Sequence, residues 1–282
     1  MKTLIKILPI LFVILSLTGC IDVQYKMNLK SDGSGTIVET VYMNAAMVQM
    51  IKGFMAMSDD STKQEEFSLL DEVELKNEAI ELGEGVKYVS GEELKDNGRE
   101  GYRAIYEFDN VNKIKMDQDI SDKAPSMGGE NEETPEDDIT FKFTKGDPAT
   151  LIIFMPMEDD KNEFEEDTEF EEDTEFENEV DGEFEEEDVE EWTEEMKTMM
   201  KDFKISIQIE VDGDINETNA TYVDGSTITI MEMSFGELLE DPEQFKKLKN
   251  LDEASYEETK ELLKDIPGIK FETNEKVKVV FD

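Results

Sequence analysis

The clearest pattern along the chain is strict alternation of apolar and polar residues, which occurs in two long stretches. Residues 21–30 alternate without an error, and residues 203–212 do the same. A period of two is typical of a strand with one face buried and the other in water. Shorter runs bounded by Gly, Asp and Asn turns predict further strands at 36–42, 86–94, 101–108, 139–144, 150–156 and 227–233, and a last hairpin from 269–272 and 276–281.

Helical spacing of apolar residues appears between these strands. It predicts helices over 43–57, 62–82 and about 189–200, and a helix in two pieces over 235–264. In the second of these helices the inward residues are expected to be Phe67, Leu70, Val73 and Ile80. The sequence therefore predicts an α+β fold: a mainly antiparallel sheet built of hairpins, with helices packed on one face.

The N-terminus follows the pattern of a bacterial export signal. Lys2 and Lys6 precede an apolar run over residues 7–17, which is too short to span a membrane. Leu17, Thr18 and Gly19 then lead into Cys20 and resemble a lipobox, the recognition site of the lipoprotein signal peptidase. We expect cleavage after residue 19, attachment of diacylglycerol and palmitate-type acyl chains at Cys20, and anchoring to the outer face of the plasma membrane. Cys20 is the single cysteine, so an intramolecular disulfide is impossible.

The net charge restricts which partners the protein can bind. The net charge is −45, and it becomes −47 once Lys2 and Lys6 leave with the signal peptide, which excludes nucleic acid as a partner. Residues 158–195 contain 24 acids and one lysine, with phenylalanines repeated at 164, 170 and 176. We predict that residues 158–188 are a disordered acidic insertion in one domain formed by 20–157 and 189–282. A second interpretation is a strip that recruits divalent cations or a basic protein partner.

Eight of the sixteen methionines lie in two clusters, Met43–Met57 and Met196–Met200. Methionine fills irregular gaps in ordinary cores, and it also suits surfaces that adapt to apolar ligands. The second interpretation predicts a groove for an apolar or lipid-like ligand between the helices and the sheet. The residues assigned to it are Met43, Met47, Met50, Phe54, Trp192, Met196 and Met199.

The sequence gives almost no support for catalysis, since the abundance of its 73 acids is not by itself evidence for a catalytic carboxylate pair. The chain has no histidine, and its one thiol is assigned to lipid, so neither a histidine-based triad nor a usual zinc site can be assembled. Asp212, Asp214 and Asn216 begin like a calcium loop, but Glu217 stands where glycine is required, so we interpret them as turn residues. We predict no enzyme, no cofactor and no metal site.

One region carries a family resemblance. The alternating strand at 203–212, the turn at Gly213, the step Asn219-Ala220 and the turn Asp224-Gly225 resemble the LppM-type domain of bacterial lipoproteins. The family's strand usually ends in tryptophan, where this chain has Ile230. The resemblance implies an envelope lipoprotein. We expect a lipid-anchored, non-catalytic protein that binds an apolar or lipid-like ligand, or alternatively an envelope interaction protein that acts through its acidic loop.

Overall fold

The computed structural model describes residues 21–57, 68–96, 98–117, 138–156, 203–239, 263–264 and 266–282. In chain order its strands are β1 (Ile21–Leu29), β2 (Gly35–Asn44), β3 (Lys87–Asp96), β4 (Arg99–Phe108), β5 (Lys115–Asp117), β6 (Asp138–Thr144), β7 (Ala149–Phe154), β8 (Lys204–Val211), β9 (Ile215–Thr218), β10 (Val223–Asp224), β11 (Thr227–Ser234), β12 (Ile269–Phe271) and β13 (Lys276–Phe281). The helices are α1 (Ala45–Met57), α2 (Glu72–Glu81) and α3 (Phe235–Leu239), with a 3-10 turn at Val111–Lys113.

The first sheet is built around the two long alternating strands. Its order is β10-β11-β8-β1-β2-β4-β3, and β12 pairs with the end of β11. Strands β1 and β2 form the predicted hairpin, with Tyr25 opposite Glu39. Strand β8 lies parallel to β1, with Tyr25 beside Ile207. Residues far apart in the sequence therefore meet in the centre of this sheet.

The second sheet has the order β5-β6-β7-β13-β9. The hairpin of β6 and β7 confirms the strands predicted at 139–144 and 150–156. The predicted hairpin of β12 and β13 is wrong, because β12 pairs with β11 in the first sheet while β13 pairs with β7 and β9 in the second. The chain thus crosses between the two sheets just after Phe271.

One hydrophobic core joins both sheets. The period-two alternation of β1 buries every odd-numbered residue from Ile21 to Leu29, as the sequence predicts. Buried side chains of the second sheet belong to the same core, among them Ile139, Leu151, Ile153, Val277, Val279 and Phe281. Much of the inner side of the first sheet is therefore covered by a second layer of strands.

Helix α2 is shorter than predicted and turns a different face inward. Asp71 caps it, because its Oδ1 accepts hydrogen bonds from the amides of Val73 at 2.8 Å and Glu74 at 3.3 Å. This helix begins at Glu72 and not near residue 62. The buried residues of α2 are Leu75, Glu78 and Ala79, whereas Val73 and Ile80 are 69% and 75% exposed, so their predicted inward orientation is wrong. Leu70 precedes the helix and packs against the core, and Phe67 lies outside the described residues.

The predicted α+β class is also wrong. The described residues are mostly strand, in one mixed sheet and one antiparallel sheet, with few and short helices. The physical reason is that alternating segments outnumber helical ones. The apolar face of each sheet is therefore buried mainly against the other sheet and less against helices. The predicted helix near 189–200, the acidic insertion 158–188 and most of 235–264 lie outside the described residues.

Candidate functional site

A cleft of about 270 Å³ lies where α1 meets the end of the β3–β4 hairpin. Helix α1 contributes one wall, the segment before α2 another, and the two strands the third. The described lining residues are Val48, Lys52, Ser68, Leu69, Glu93, Leu94, Lys95, Glu100 and Gly101. Its lining residues on α1 are close in sequence to Met43, Met47 and Met50, which were predicted to line an apolar groove.

The cleft combines apolar and charged side chains. The half-buried Leu69 and Leu94 supply apolar surface next to the buried Val48, and lysine and glutamate side chains stand beside them. Ser68 Oγ donates a hydrogen bond to Glu93 Oε1 at 3.2 Å, which links the segment before α2 to β3. Such a lining suits an amphipathic molecule, because each part of the molecule finds a matching surface.

Gly101 keeps the strands close together on one side of the cleft. Strand β4 approaches β2 so tightly here that a Cβ atom on Gly101 would overlap the carbonyl oxygen of Val41. Only glycine fits at such a backbone approach. The next residue along β4, Tyr102, connects this side of the cleft to the core.

A buried network of tyrosines and glutamates lies beyond Tyr102. Glu39 and Glu78 are 0% and 5% exposed. Tyr102 Oη donates to Glu39 Oε1 at 2.7 Å, and Tyr25 Oη donates to Glu78 Oε1 at 2.6 Å. Tyr106 Oη lies 3.0 Å from Glu39 Oε2 and 2.9 Å from Glu78 Oε2. The Tyr106 hydroxyl has one proton, so it donates to one carboxyl group at a time while bridging both.

The burial of these tyrosines has a measurable consequence at high pH. Burial raises the pKa of Tyr25, Tyr102 and Tyr106, and the charges of Glu39 and Glu78 raise it further. In an unfolded chain tyrosine ionises near pH 10. Below that pH both states hold the phenol protons, and above it the unfolded state releases them first. Stability is therefore lost as the pH rises above about 10.

We expect these three tyrosines to ionise together with unfolding. Tyrosinate absorbance and circular dichroism, followed in one alkaline titration, measure the two events. Tyr106→Phe should remove one tyrosine from the coupled step. Ionisation of all three while the circular dichroism stays native would contradict this assignment.

Tyr88 extends the aromatic surface beside the network. Its ring meets that of Tyr106 edge-on, with centroids 6.1 Å apart. Its hydroxyl is buried and has no hydrogen-bond partner among the described residues. It lies with Leu70 against Gly91, where a Cβ atom would be 2.6 Å from the hydroxyl oxygen. Tyr88 and Leu70 thus cover the network on the side of β3.

The residues predicted for the groove are only partly brought together. Met43 is buried in the core, and Met47 packs against the core. The side chains of Met50 and Phe54, and residues Trp192, Met196 and Met199, lie outside the described residues. Leu17, Thr18, Gly19 and Cys20 also lie outside them.

Sequence reasoning missed the residues that line the cleft and the two buried glutamates. Glu39 had a signal, because it occupies an inward position of the alternating strand β2, between Ile37 and Val41. Glu78 had no such signal, because the opposite face of α2 was predicted to be buried. The described residues contain no group of three Asp or Glu side chains placed to hold a metal ion.

Comparison with known proteins identifies no family for this chain. The chain matches no protein-family model and no curated protein. It is similar to the NMR structure of the folded domain of Mycobacterium tuberculosis LppM, with 6% identity, coverage of 78% of this chain and 85% of that chain, and a TM-score of 0.30. A similarity at this TM-score carries no conclusion about function. Among the described residues, no helix is long and apolar enough to cross a membrane.

Proposed function

We propose that this chain is a lipid-anchored, non-catalytic protein of the cell envelope that binds an amphipathic, lipid-like ligand in the cleft between α1 and the β3–β4 hairpin. The observation that carries the proposal is the cleft lining, where Val48, Leu69 and Leu94 stand beside charged side chains. Lipid-like molecules present an acyl part and a polar part, and this lining offers a surface for each.

The anchoring part of the proposal is supported by the sequence around Cys20. A positive start, a short apolar run and Leu17-Thr18-Gly19-Cys20 occur in the order that lipoprotein export requires. Membership in the LppM-type family is likewise a proposal, which rests on the motifs in residues 203–225. The non-catalytic role is proposed because the chain has no histidine and its single cysteine is assigned to lipid.

Leu94→Asp tests the cleft directly. In protein lacking residues 1–19 and carrying Cys20→Ser, native mass spectrometry should detect a retained lipid. A charge at the half-buried Leu94 should weaken lipid retention about tenfold, because about 1.4 kcal/mol of apolar contact is lost. The matched control is Val223→Asp, which places the same charge on an exposed valine of β10.

The control variant should retain lipid as the parent protein does. Repeated failure of the parent protein to retain any lipid would remove the proposed ligand. Equal loss in both variants would show that the cleft is not the binding site.

A second candidate function is favoured by the 24 acids in residues 158–195. This stretch follows β7 of the second sheet and precedes β8 of the first sheet. Under the second candidate it recruits divalent cations or a basic envelope protein. Deleting residues 158–195 should abolish that binding with the fold intact, whereas lipid retention in the cleft should survive the deletion.

A further inference from the structure

The position of β1 limits where the lipid anchor can be. Ile21 is the first residue of β1 and is buried in the core. Consecutive Cα atoms are about 3.8 Å apart, so Cys20 has no tether between itself and the sheet. If Cys20 carries the lipid, the end of the first sheet at which β1 begins lies against the bilayer. We call it the anchor end.

Several strands of the first sheet share this end. Strands β1, β4 and β8 begin there, and β2, β3 and β11 end there. The outermost pairs in the register are Asn44 with Arg99, Asp96 with Arg99, Asp22 with Lys204, and Ser234 with Lys204. The anchor end is therefore a row of residues that crosses the sheet from β3 to β11.

Two phenylalanines lie in this row, one beside β1 and one directly after β11. Phe203 precedes β8, which lies parallel to β1, so the register continues to place it next to Ile21. The ring of Phe235 meets that of Phe203 edge-on at 4.9 Å, and its amide donates to the Phe203 carbonyl at 3.0 Å. Both side chains are only half-buried. Apolar rings suit the boundary between headgroups and acyl chains, where the apolar face of interfacial segments carries Trp, Phe and Leu.

Two groups of ion pairs lie at the anchor end. Arg99 pairs with Asp22 at 3.5 Å and with Asp96 at 3.4 Å, and its guanidinium lies over the Tyr42 ring at 4.5 Å. Glu232 contacts Lys204 at 3.2 Å and Lys270 at 2.8 Å. In these ion pairs three cations meet three anions, so the paired groups add no net charge where the sheet would face anionic headgroups.

The opposite end of the first sheet carries the turns that contain Asp32, Asp109, Asp212 and Asp224, with the positive charges of Lys30 and Lys145 acting on Asp32. We call it the far end.

We propose that the anchor end, with Phe203, Phe235 and Arg99, rests on the bilayer surface, so that the strands of the first sheet stand upright on the membrane. The proposal rests on the lipidation of Cys20 proposed above. It also brings the cleft to the membrane, because Gly101 lies two residues along β4 from Arg99, a distance of about 7 Å. An amphipathic ligand can then pass from the bilayer into the cleft without crossing open water.

Tryptophan quenching in vesicles tests this orientation. The full lipidated chain, carrying Trp192→Phe to remove its one native tryptophan, is reconstituted into phosphatidylcholine–phosphatidylglycerol vesicles with brominated acyl chains. The reporter is Phe235→Trp, with Phe203→Trp as a second reporter at the same end. The matched control is Val223→Trp, on an exposed residue of β10 near the far end.

The expected result is loss of most of the fluorescence at 235 and 203, and none at 223. Absence of quenching at both anchor-end positions in protein that floats with the vesicles would overturn the orientation while leaving the anchor in place. Quenching at 223 would overturn it as well. Protein that does not float and has no acyl mass would remove the proposed anchoring, and the orientation with it.

Discussion

Glu39→Ala is expected to lower the free energy of unfolding by about 3–5 kcal/mol. Glu39 is fully buried in β2 and accepts from Tyr102 at 2.7 Å and Tyr106 at 3.0 Å. Alanine leaves both hydroxyls without this acceptor, and it also opens a cavity among packed rings. Urea unfolding followed by circular dichroism measures the change, with the slope checked for two-state behaviour.

Two variants separate the network from general effects of substitution in the sheet. Glu107→Ala removes an exposed carboxylate from β4, three residues along the strand from the Ala104 that pairs with Glu39, and should change stability by less than about 0.5 kcal/mol. Tyr106→Phe keeps the ring but removes the bridging hydroxyl, and should cost less than Glu39→Ala. A Glu39→Ala protein as stable as the parent would show that the network does not hold β1, β2, β4 and α2 together.

Glu272→Ala is the second large effect, expected at about 3–5 kcal/mol. The carboxyl group of Glu272 is 1% exposed and accepts from the amide and hydroxyl of Thr221 at 2.6 and 2.8 Å. It also accepts from the amide and side-chain nitrogen of Asn274 at 2.9 and 2.8 Å. These bonds hold the crossing of the chain from β12 in one sheet to β13 in the other.

Hydrogen exchange gives this prediction a local readout. The amides of Thr221 and Asn274 should lose protection in Glu272→Ala before the rest of the core does. Glu272→Gln should recover only part of the stability, because its amide nitrogen faces donors. The control is Glu217→Ala, which breaks an exposed pair with Lys278 at 3.0 Å and should cost less than about 1 kcal/mol. Unchanged protection at both amides would contradict the assigned role.

Local periodicity was sufficient for the longer strands and for the hairpins β1–β2, β3–β4 and β6–β7, but it did not predict the short strands β5 and β9. An alternating segment such as β1 has one apolar face to bury, whichever strands it pairs with. The parallel pairing of β1 with β8 could not be predicted, because the residues that meet are separated by more than half the chain. The same lack of long-range information made adjacent β12 and β13 look like a hairpin.

The helices show a different limit. Val73 and Ile80 are spaced to share one face of α2, and that face is in fact exposed. The opposite face is buried through Leu75, Ala79 and the polar Glu78, which accepts hydrogen bonds from Tyr25 and Tyr106 of the sheet. A buried glutamate cannot be distinguished from a surface one by helical spacing, since its partners lie on other elements. The cleft residues Val48 and Lys52 were missed because the other walls of the cleft come from residues 68–69, 93–95 and 100–101, which local spacing does not bring together.

Mass spectrometry of the N-terminal peptide of protein extracted from host membranes tests the lipid anchor most directly. The expected peptide begins at Cys20 and carries a diacylglyceryl group on its sulfur. A peptide that retains residues 1–19 with a free thiol would contradict the anchor, the orientation of the sheet and the access of the cleft to lipid.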